Sequence, residues 1–466
     1  MSITDQYASY CAALAFEDLP DEVVERTKHL LLDTVGVSVG SIRADSSDAF
    51  LDGTRTRNQD GDGATVLATG ERMSPEYATL VNGALAHSLD YDDTHRGASL
   101  HPGAPVIPAA LAAGEEVDAS GEELLTAVVA GYELTCRLGM AVNPASHYDR
   151  GFHMTATCGL FGATAAAGVV YGFDEDEFAS AFGINGSQAA GSLQFLENGG
   201  WNKRAHPGFA GHNALLATAY AQEDFRAAAE PIEGVRGFLQ AYSDDPDPEK
   251  ATAGLGTDYE LLNVGVKPYP CCRYMHAPLD ALFELIDEAD IAHEDVEGVT
   301  VNIASAGIDL IGDPTNRYPQ SFVDCQFSMP FGAALALVYR DDGVETFFDA
   351  IEGGVNDDVK RIIDLTTVSE ADWIEEVYPD RWPAKVTVET ADGTYARQVD
   401  YARGEPENAL SWEELVEKYD ELTVPILGGE AAAETRAVVE SLESRSVAEL
   451  ASAFADASRQ PTAADD

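Results

Sequence analysis

Three long segments rich in small apolar residues constrain the fold of this chain more than any other feature. Residues 122–142 carry the periodicity of a buried helix, and residues 154–172 and 206–220 are rich in glycine and alanine, which lets helix backbones approach closely. No uninterrupted apolar run approaches the roughly 18 residues that a membrane span needs, so these are expected to be core helices. The first 265 residues therefore predict an almost entirely helical body.

The sequence pattern changes near Lys267. Residues 298–304 and 384–390 alternate between apolar and polar side chains as strands do, and a turn at 391–394 leads to a partner strand at 395–400. Helices are expected around these strands at 277–289, 322–339 and 355–365, and again from 410 onward. We therefore predict a mainly α fold: a large all-α domain with a smaller α+β domain inserted before the C-terminal helices. The expected boundaries are 1–266 with 401–460 for the helical domain, 267–400 for the insertion and 461–466 for a frayed tail.

The charge balance excludes several classes of partner. The 466 residues carry 81 acidic and 28 basic side chains, a formal net charge of −53. Nucleic acid and anionic membranes would be repelled, so neither is an expected partner. The acids are dispersed along the chain and only seven residues are lysine. This pattern fits a halophilic protein in molar salt, where the Debye length falls to about 3 Å.

The start of the chain lacks the basic segment of a signal peptide, which predicts a cytoplasmic protein. The six cysteines show no C-x-x-C pair and no metal-ligand spacing. We expect most of them to be reduced and buried, and a catalytic thiol at Cys271 or Cys272 is the alternative.

Residues 82–108 form the stretch richest in reactive groups, with three acids, Thr94 and three histidines between apolar flanks. A helix is expected from the Ser74-Pro75 pair to about Asp93, and it would place Asp90 on a face of small apolar residues. An acid on such a face is costly unless it has a partner or a function, so Asp90 is the first candidate site residue. The acids at 92 and 93 are either a solvated helix end or part of the same site.

Two basic or histidine-containing segments add candidates in the helical body. His153 precedes the helix at 154–172, where it is either a satisfied structural residue or a catalytic one. Lys203 and Arg204 follow a glycine pair and open a helix, and basic residues at a helix N-terminus favour a negatively charged ligand. The alternative for this pair is a basic surface loop.

A third group, Lys267, Arg273 and His276, lies at the boundary between the helical body and the insertion, where small-molecule sites tend to form. Its alternative is a rigid hinge stiffened by prolines. Together with His101, the candidates combine an acid, histidines and cations, which suits a substrate with several carboxylates. No nucleotide-binding or metal-binding motif occurs in the sequence, so we predict neither a cofactor nor a metal ligand.

Four blocks in consecutive order resemble the MmgE/PrpD family, which includes 2-methylcitrate dehydratase, cis-aconitate decarboxylase and iminodisuccinate epimerase. The blocks are NGALAHSLDYDDTHRGASLHPGAPVIPAALAAGE, GFHMTATCGLFGATAAA, NKRAHPGFAGHNALLA with PIEGVRGF, and KPYPCCRYMHAPLDA. The resemblance implies a homodimer in which the α+β domain is a lid, with metal-independent chemistry between the two domains. The residues that match the catalytic positions of the decarboxylase branch are Asp90, Thr94, His101, His153, Lys203 and His276.

The expected function is a cofactor-independent lyase for a small di- or tricarboxylate, first of all a hydro-lyase resembling 2-methylcitrate dehydratase. A histidine or Asp90 would take a proton next to a carboxylate, while cations bind the carboxylates. The predicted substrate-binding residues are Lys267, Arg204 and Arg273. Similar dehydratases carry Ser-Asp-Asn where this chain has Gly103-Ala104-Pro105, and the decarboxylase branch lacks the Cys-Cys-Arg-Tyr run at 271–274. Decarboxylation and epimerisation remain alternatives within the family, and a metal-dependent hydrolase or a non-catalytic binding protein outside it.

Overall fold

In a computed structural model of the protein, residues 1–58, 63–341 and 343–457 are described. The chain forms two compact units, one of Met1–Val264 together with the chain from Trp412 onward, and one of Gly265–Ser411. The first boundary lies next to the expected position 266, and the second lies later than the expected position 400. The predicted tail at 461–466 and residues 458–460 lie outside the described part of the chain.

The N-terminal part of the first unit is helical, and the mainly α fold is confirmed. Three of its helices begin with a capping box, in which Ser2, Ser120 or Asp174 caps the first turn and an acid three residues later returns the hydrogen bond. The helices are α1 Ile3–Ala13, α2 Asp21–Gly40, α3 Ser47–Arg55, α4 Pro75–Ala86, α5 Gly103–Val117, α6 Gly121–Val142, α7 Pro144–Asp149, α8 Met154–Thr157, α9 Gly159–Val170, α10 Glu175–Asn185, α11 Asn202–Gln222 and α12 Phe238–Tyr242. Two-residue strands lie at β1 Ala64–Thr65, β2 Arg72–Met73, β3 Thr94–His95 and β4 Val264–Gly265.

Helix α6 is a core helix of the first unit and carries a buried ion pair between Arg137 and Glu133, with Nε and Oε2 3.0 Å apart. By length and composition it is the one helix among the described residues that could cross a membrane. Charged residues such as Glu133 and Arg137 interrupt its apolar sequence, so it is not an uninterrupted apolar run of roughly 18 residues. In addition, 94% of its most apolar window is buried inside the protein, as expected for the predicted core helix.

A close crossing of α4 and α11 depends on two glycines. A Cβ atom on Gly83 would lie 2.9 Å from the Cα of Gly208, and a Cβ on Gly208 would lie 2.2 Å from the carbonyl oxygen of Leu80. Both distances are too short for real atoms, so glycine at these two positions sets the spacing of the helices. The C-terminus of α4 leads into the segment that contains Asp90, and the N-terminus of α11 carries Lys203.

The second unit combines a four-stranded sheet with helices. Its elements are α13 His276–Ala289, β5 Val296–Ile303, α14 Ser305–Ile311, α15 Phe322–Gln326, α16 Met329–Tyr339, α17 Val344–Glu352, α18 Asp357–Leu365, β6 Thr366–Glu370, α19 Asp372–Glu375, β7 Ala384–Thr390 and β8 Gly393–Val399. The strand order is β6-β5-β7-β8, with β5 parallel to β6 and antiparallel to β7, and β7 antiparallel to β8.

Two features of the second unit differ from the sequence expectations. The single helix predicted at 322–339 is broken after Gln326, because Pro330 suits the first turn of a new helix rather than the interior of a long one. Strand β6 is not predicted from the sequence. It is a short strand whose alternation is weak, and its pairing with β5 depends on a distant segment.

The chain returns to the first unit through α20 Trp412–Leu427, α21 Gly429–Glu440 and α22 Val447–Ala457. Lys418 on α20 is buried, and its Nζ donates to the Tyr91 carbonyl at 2.8 Å and to the carboxylate of Asp33 on α2. Breaking a buried ion pair of this kind costs about 3–5 kcal/mol. Lys418 therefore anchors the loop in which the acids at 90, 92 and 93 lie.

Candidate functional site

The acidic segment after α4 is a buried loop, and the predicted continuation of this helix to Asp93 is wrong. α4 ends at Ala86, and His87 is its C-terminal cap. Asp90 has a backbone φ of +49°, a left-handed conformation that aspartate tolerates better than most residues. A helix through this segment would spread its side chains around an axis. The turn instead brings Asp92 back to the His87 ring, which gives one oxygen of this buried carboxylate a hydrogen-bond partner.

Asp90 contacts a residue from the third block of the sequence. The Nζ of Lys203, in the first turn of α11, donates to Asp90 Oδ1 at 2.6 Å. The side chain of Asp90 is 6% exposed and that of Lys203 is 20% exposed, so this ion pair is largely shielded from water. The structure thus places the positive charge of Lys203 in a shielded position, within a chain whose net charge is strongly negative.

Asp92 connects two histidines through a single oxygen. Its Oδ2 lies 2.8 Å from His87 Nδ1 and 3.3 Å from His101 Nδ1. Burial alone would raise the pKa of Asp92, but the adjacent His101 and His87 rings lower it well below its usual range. Of the two alternatives for this acid, the solvated helix end is therefore wrong: Asp92 is a buried anion that bonds to His87 and lies close to His101.

His87 and His101 lie edge to face, with ring centroids 4.6 Å apart. Burial lowers the pKa of His87 to about 4, against the opposing effect of Asp92, so the ring is neutral near pH 7. Its Nδ1–H then donates to Asp92, and within the described part of the chain its Nε2 is buried without a hydrogen-bond partner. His101 Nε2 lies 4.0 Å from Asp90 Oδ1. The His101 ring thus lies between two carboxylates.

His153, from the second block, joins this cluster through its ring. It stacks near His87 with ring centroids 5.6 Å apart, and its Nδ1 lies 3.0 Å from the Nδ1 of His206. Burial, followed by the charges of His87 and His206, lowers the pKa of His153 well below its usual value. Asp90, His101, His153 and Lys203, predicted from three separate segments, are therefore brought together in the first unit.

Asp93 has a structural position next to the cluster. Its Oδ2 accepts a hydrogen bond of 2.6 Å from Tyr132 Oη, and its Oδ1 accepts one of 3.0 Å from the backbone N–H of Gly103. Burial raises the pKa of Asp93 to about 8 despite these two bonds. A side chain at position 103 would collide with Tyr132 and Asp93, which explains why glycine begins α5 here.

Two predicted residues of the first unit are less closely tied to the cluster. Thr94 is half-buried in strand β3, directly after the buried Asp93. Arg204 is buried, and its Nη1 donates to Ser46 Oγ at 2.8 Å and to the carboxylate of Asp45. The predicted role of Arg204 in substrate binding therefore competes with an ion pair that the fold already uses.

The remaining predicted residues belong to the second unit. The Nε2 of His276, in the first turn of α13, donates to the Cys271 carbonyl at 3.1 Å. Arg273 pairs with Glu405, and its guanidinium carbon lies 4.7 Å from the centroid of the Trp382 ring. Lys267 is buried. The structure fixes the surroundings of His276 and Arg273 within their own unit, and their part in a reaction stays a prediction.

Four groups in the first unit are close enough to hold a cation. One ligand atom from each lies within 4.8 Å of the others; the residues are His87, Asp90, Asp92 and His101. A metal ion here would have to compete with the Lys203 ammonium group for Asp90, since the two are already hydrogen-bonded. Metal binding is the rival interpretation of this group. Because Lys203 already neutralises Asp90, the arrangement suits proton transfer without a metal better.

Sequence reasoning missed His87 and His206 as site residues and left two alternatives open for Asp92. All three lie inside the blocks that carry the other candidates. A dense run of histidines and acids was the available signal for His87 and Asp92, but not for His206. All six cysteines are buried and free of disulfides, in agreement with the sequence expectation.

Loss of folding stability in acid is a testable consequence of the buried histidines. His147 lies outside the cluster, so its contribution can be measured without altering the candidate site. Its Nδ1 donates to the Tyr242 carbonyl at 3.2 Å and its Nε2 lies 2.9 Å from Thr157 Oγ1. Burial lowers the pKa of His147 to about 4 from an ordinary 6.5. The unfolded chain binds a proton that the folded ring does not, so this stabilisation is lost as the pH falls from about 6.5 to about 4.

The expected loss from His147 alone is about 3 kcal/mol of unfolding free energy. Denaturant unfolding at constant high salt between pH 7 and 4.5 measures it. The variant His147→Gln should be less stable at pH 7 and should lose less stability across this range. An unchanged pH slope in that variant would contradict the assignment.

Comparison with known families agrees with this architecture. The MmgE/PrpD N-terminal domain matches residues 5–251 and the MmgE/PrpD C-terminal domain matches residues 269–444. The two matches cover most of the chain, and the first includes the whole cluster from His87 to His206. The chain belongs to the MmgE/PrpD family, as the four sequence blocks predict.

Several curated relatives of this chain carry the name of cis-aconitate decarboxylase or of a protein like it. The chain is 26% identical to a cis-aconitate decarboxylase of Aspergillus terreus over 84% of this chain and 83% of the relative. It is 26% identical to the cis-aconitate decarboxylase-like protein oryM of Aspergillus oryzae over 96% of both chains. It is also 24% identical to the human cis-aconitate decarboxylase over 95% of this chain and 92% of the relative. The similarity is thus to lyases of small polycarboxylates.

Proposed function

We propose that this protein is a lyase that acts on a small polycarboxylate through proton transfer at a carbon next to a carboxylate. The observation that carries this proposal is the buried cluster in the first unit, where the Lys203 ammonium faces Asp90 beside several histidines. In a molecule with a net charge of −53, such a cation is a specific attraction for an anionic substrate.

The groups of the cluster can serve two chemical roles: one stabilises negative charge and the others transfer protons. Loss of CO2 or of a proton from the substrate leaves negative charge on the adjoining carboxylate, and the ammonium group of Lys203 stabilises that charge. His153 is a neutral ring that can pass a proton to or from carbon. His101 lies between two carboxylates, with its Nδ1 3.3 Å from Asp92 Oδ2 and its Nε2 4.0 Å from Asp90 Oδ1, so its ring can exchange a proton with either side.

Decarboxylation of cis-aconitate is the first candidate reaction, because the curated relatives carry that name and align over most of the chain. Loss of water from 2-methylcitrate, the first expectation from the sequence, is the second candidate. It uses the same proton transfers next to a carboxylate. The decarboxylase branch lacks the Cys-Cys-Arg-Tyr run at 271–274, and this difference is the reason to test dehydration of 2-methylcitrate as well.

A substrate panel distinguishes these reactions. The full-length protein is incubated in high salt with cis-aconitate, methylcitrate, citrate and iminodisuccinate, and followed by proton NMR and by absorbance of unsaturated acids. Release of CO2 from cis-aconitate supports the first candidate, and dehydration of methylcitrate supports the second. Exchange of solvent deuterium without elimination would favour an epimerase, and no change in any member of the panel would contradict the proposal.

Treatment with EDTA is expected to leave the activity unchanged, because Lys203 rather than a metal ion neutralises Asp90. The measurement compares turnover before and after dialysis against EDTA, with a zinc-dependent hydrolase treated in parallel as the positive control. Loss of activity that added Zn²⁺ restores would instead support the metal-dependent interpretation of the four-residue group.

The remaining sequence-based expectations are part of this proposal. They comprise a homodimer in the cytoplasm, a lid role for the α+β unit, and substrate contacts from Lys267, Arg273 and His276. The variant His276→Ala tests the last of these by its KM and kcat on whichever substrate the panel identifies. Size-exclusion chromatography with light scattering in high salt tests the dimer.

A further inference from the structure

A cavity lies against the His153–His206 pair in the first unit. It has a volume of about 470 Å³, and His206 forms part of its lining. Several lining residues are exposed at the surface, among them Asn198, Asn202 and Phe209, so the cavity reaches solvent. Of the described residues that line it, five are Asn or Gln, and none apart from His206 has an ionisable side chain. Such a neutral polar cavity has room for roughly fifteen waters.

The backbone ties this cavity to His153. The N–H of His153 donates to the carbonyl of Gly191 at 2.8 Å, and Gly191 and Phe195 both line the cavity. The ring of Phe195 lies edge-on to both histidines, with its centroid 5.8 Å from that of His206 and 6.5 Å from that of His153. His206 is three residues after Lys203 on α11, so both side chains lie on one face of the helix.

We propose that His206 is a proton relay that carries protons between solvent in the cavity and His153. The inference rests on the proposed function, in which His153 exchanges a proton with the substrate. The two Nδ1 atoms are 3.0 Å apart and share a hydrogen bond, so one ring donates and the other accepts. His153 is 3% exposed and needs a route by which its proton is renewed in each turnover.

The proton balance of the relay is simple. A water or a protonated buffer molecule in the cavity gives a proton to the second ring nitrogen of His206, which releases its Nδ1 proton to His153 Nδ1. His153 then gives the proton on its own second nitrogen to the substrate carbon. One proton enters and one leaves, and both rings end neutral but in the opposite tautomer. The starting tautomers return when water in the substrate site gives a proton to the second nitrogen of His153, the shared proton passes back to His206 Nδ1, and the second nitrogen of His206 releases its proton to water in the cavity. Burial, followed by the charge of Lys203, lowers the pKa of His206 to about 4, so the ring passes a proton without retaining it.

The test measures kcat and KM of the full-length variants His206→Ala and His206→Gln in high salt. We expect kcat to fall at least about 10-fold with little change in KM. Added imidazole should restore activity to His206→Ala, where the missing ring leaves room, and much less to His206→Gln. The matched control is His212→Ala, which removes a half-buried histidine of the same helix that bonds to Asn213 and should keep wild-type kcat.

Each outcome decides a different claim. A kcat equal to wild type in both His206 variants would overturn the relay. A loss in folded protein that imidazole does not relieve, or one that appears mainly in KM, would also overturn it and would indicate a structural role. A wild-type protein that turns over no member of the substrate panel would overturn the proposed function itself. Circular dichroism in the same buffer establishes that each variant is folded.

Discussion

Replacing Lys203 by alanine is expected to lower turnover about 10²–10⁴-fold while the protein stays folded. The Nζ of Lys203 lies 2.6 Å from Asp90 Oδ1, so the change removes the positive charge that would stabilise the reacting carboxylate. The side chain is partly exposed, so the stability cost should stay below the about 3–5 kcal/mol of a fully buried pair. The measurements are kcat on the substrate that the panel identifies and denaturant unfolding in high salt.

Lys250→Ala is the matched control for this variant. Lys250 is an exposed lysine of the same unit, and its nearest acid, Asp247, is 3.9 Å away at the surface. Surface pairs of this kind contribute about 0–1 kcal/mol, so both activity and stability should stay close to wild type. Near-normal turnover in Lys203→Ala, with Lys250→Ala also normal, would remove Lys203 from the proposed chemistry.

Removal of salt is expected to unfold the whole protein. With 81 acids against 28 bases, self-repulsion is screened only when the Debye length is short, and that length grows from about 3 Å at 1 M to about 30 Å at 0.01 M. The structure adds that just three of the seven lysines, Lys250, Lys360 and Lys385, are exposed. Lysine therefore supplies few positive charges at the surface to offset the acids.

Far-ultraviolet circular dichroism and tryptophan fluorescence along a KCl dilution series measure this effect. A sorbitol series of equal osmolality is the control, because it changes water activity without screening charge. We expect unfolding in the sorbitol series and a folded protein in molar KCl. A protein that keeps its full signal in dilute buffer would contradict the halophilic prediction.

The sequence predicts the elements of this fold where periodicity is long and local. The helices at 122–142 and 277–289 and the hairpin of β7 and β8 follow from apolar spacing, and the structure has them at nearly those positions. It could not predict β6, whose residues pair with residues of β5 that lie 67 positions earlier in the chain. Nor could it predict the end of α4 at Ala86, because the turn there serves contacts that only the folded loop can make.

For the candidate site, too, the sequence predicts local features but not contacts between distant segments. Residue types and sequence blocks identify Asp90, His153 and Lys203 individually, but their convergence depends on packing between distant helices. The bond between His153 and His206 joins residues 53 positions apart. No local pattern distinguishes His206 from an ordinary helix histidine, so its place beside His153 had to come from the three-dimensional arrangement.

The glycine contact between α4 and α11 gives a practical criterion for extending function to other members of the family. Gly83 and Gly208 contain no reactive group, yet they fix how far the aspartate of one helix end stands from the lysine of the other. A homologue that keeps every acid, base and histidine but carries a larger residue at either position must hold those groups at a different separation. Assignments made from the reactive residues alone would overlook such a protein, whereas inspection of two inert positions would flag it.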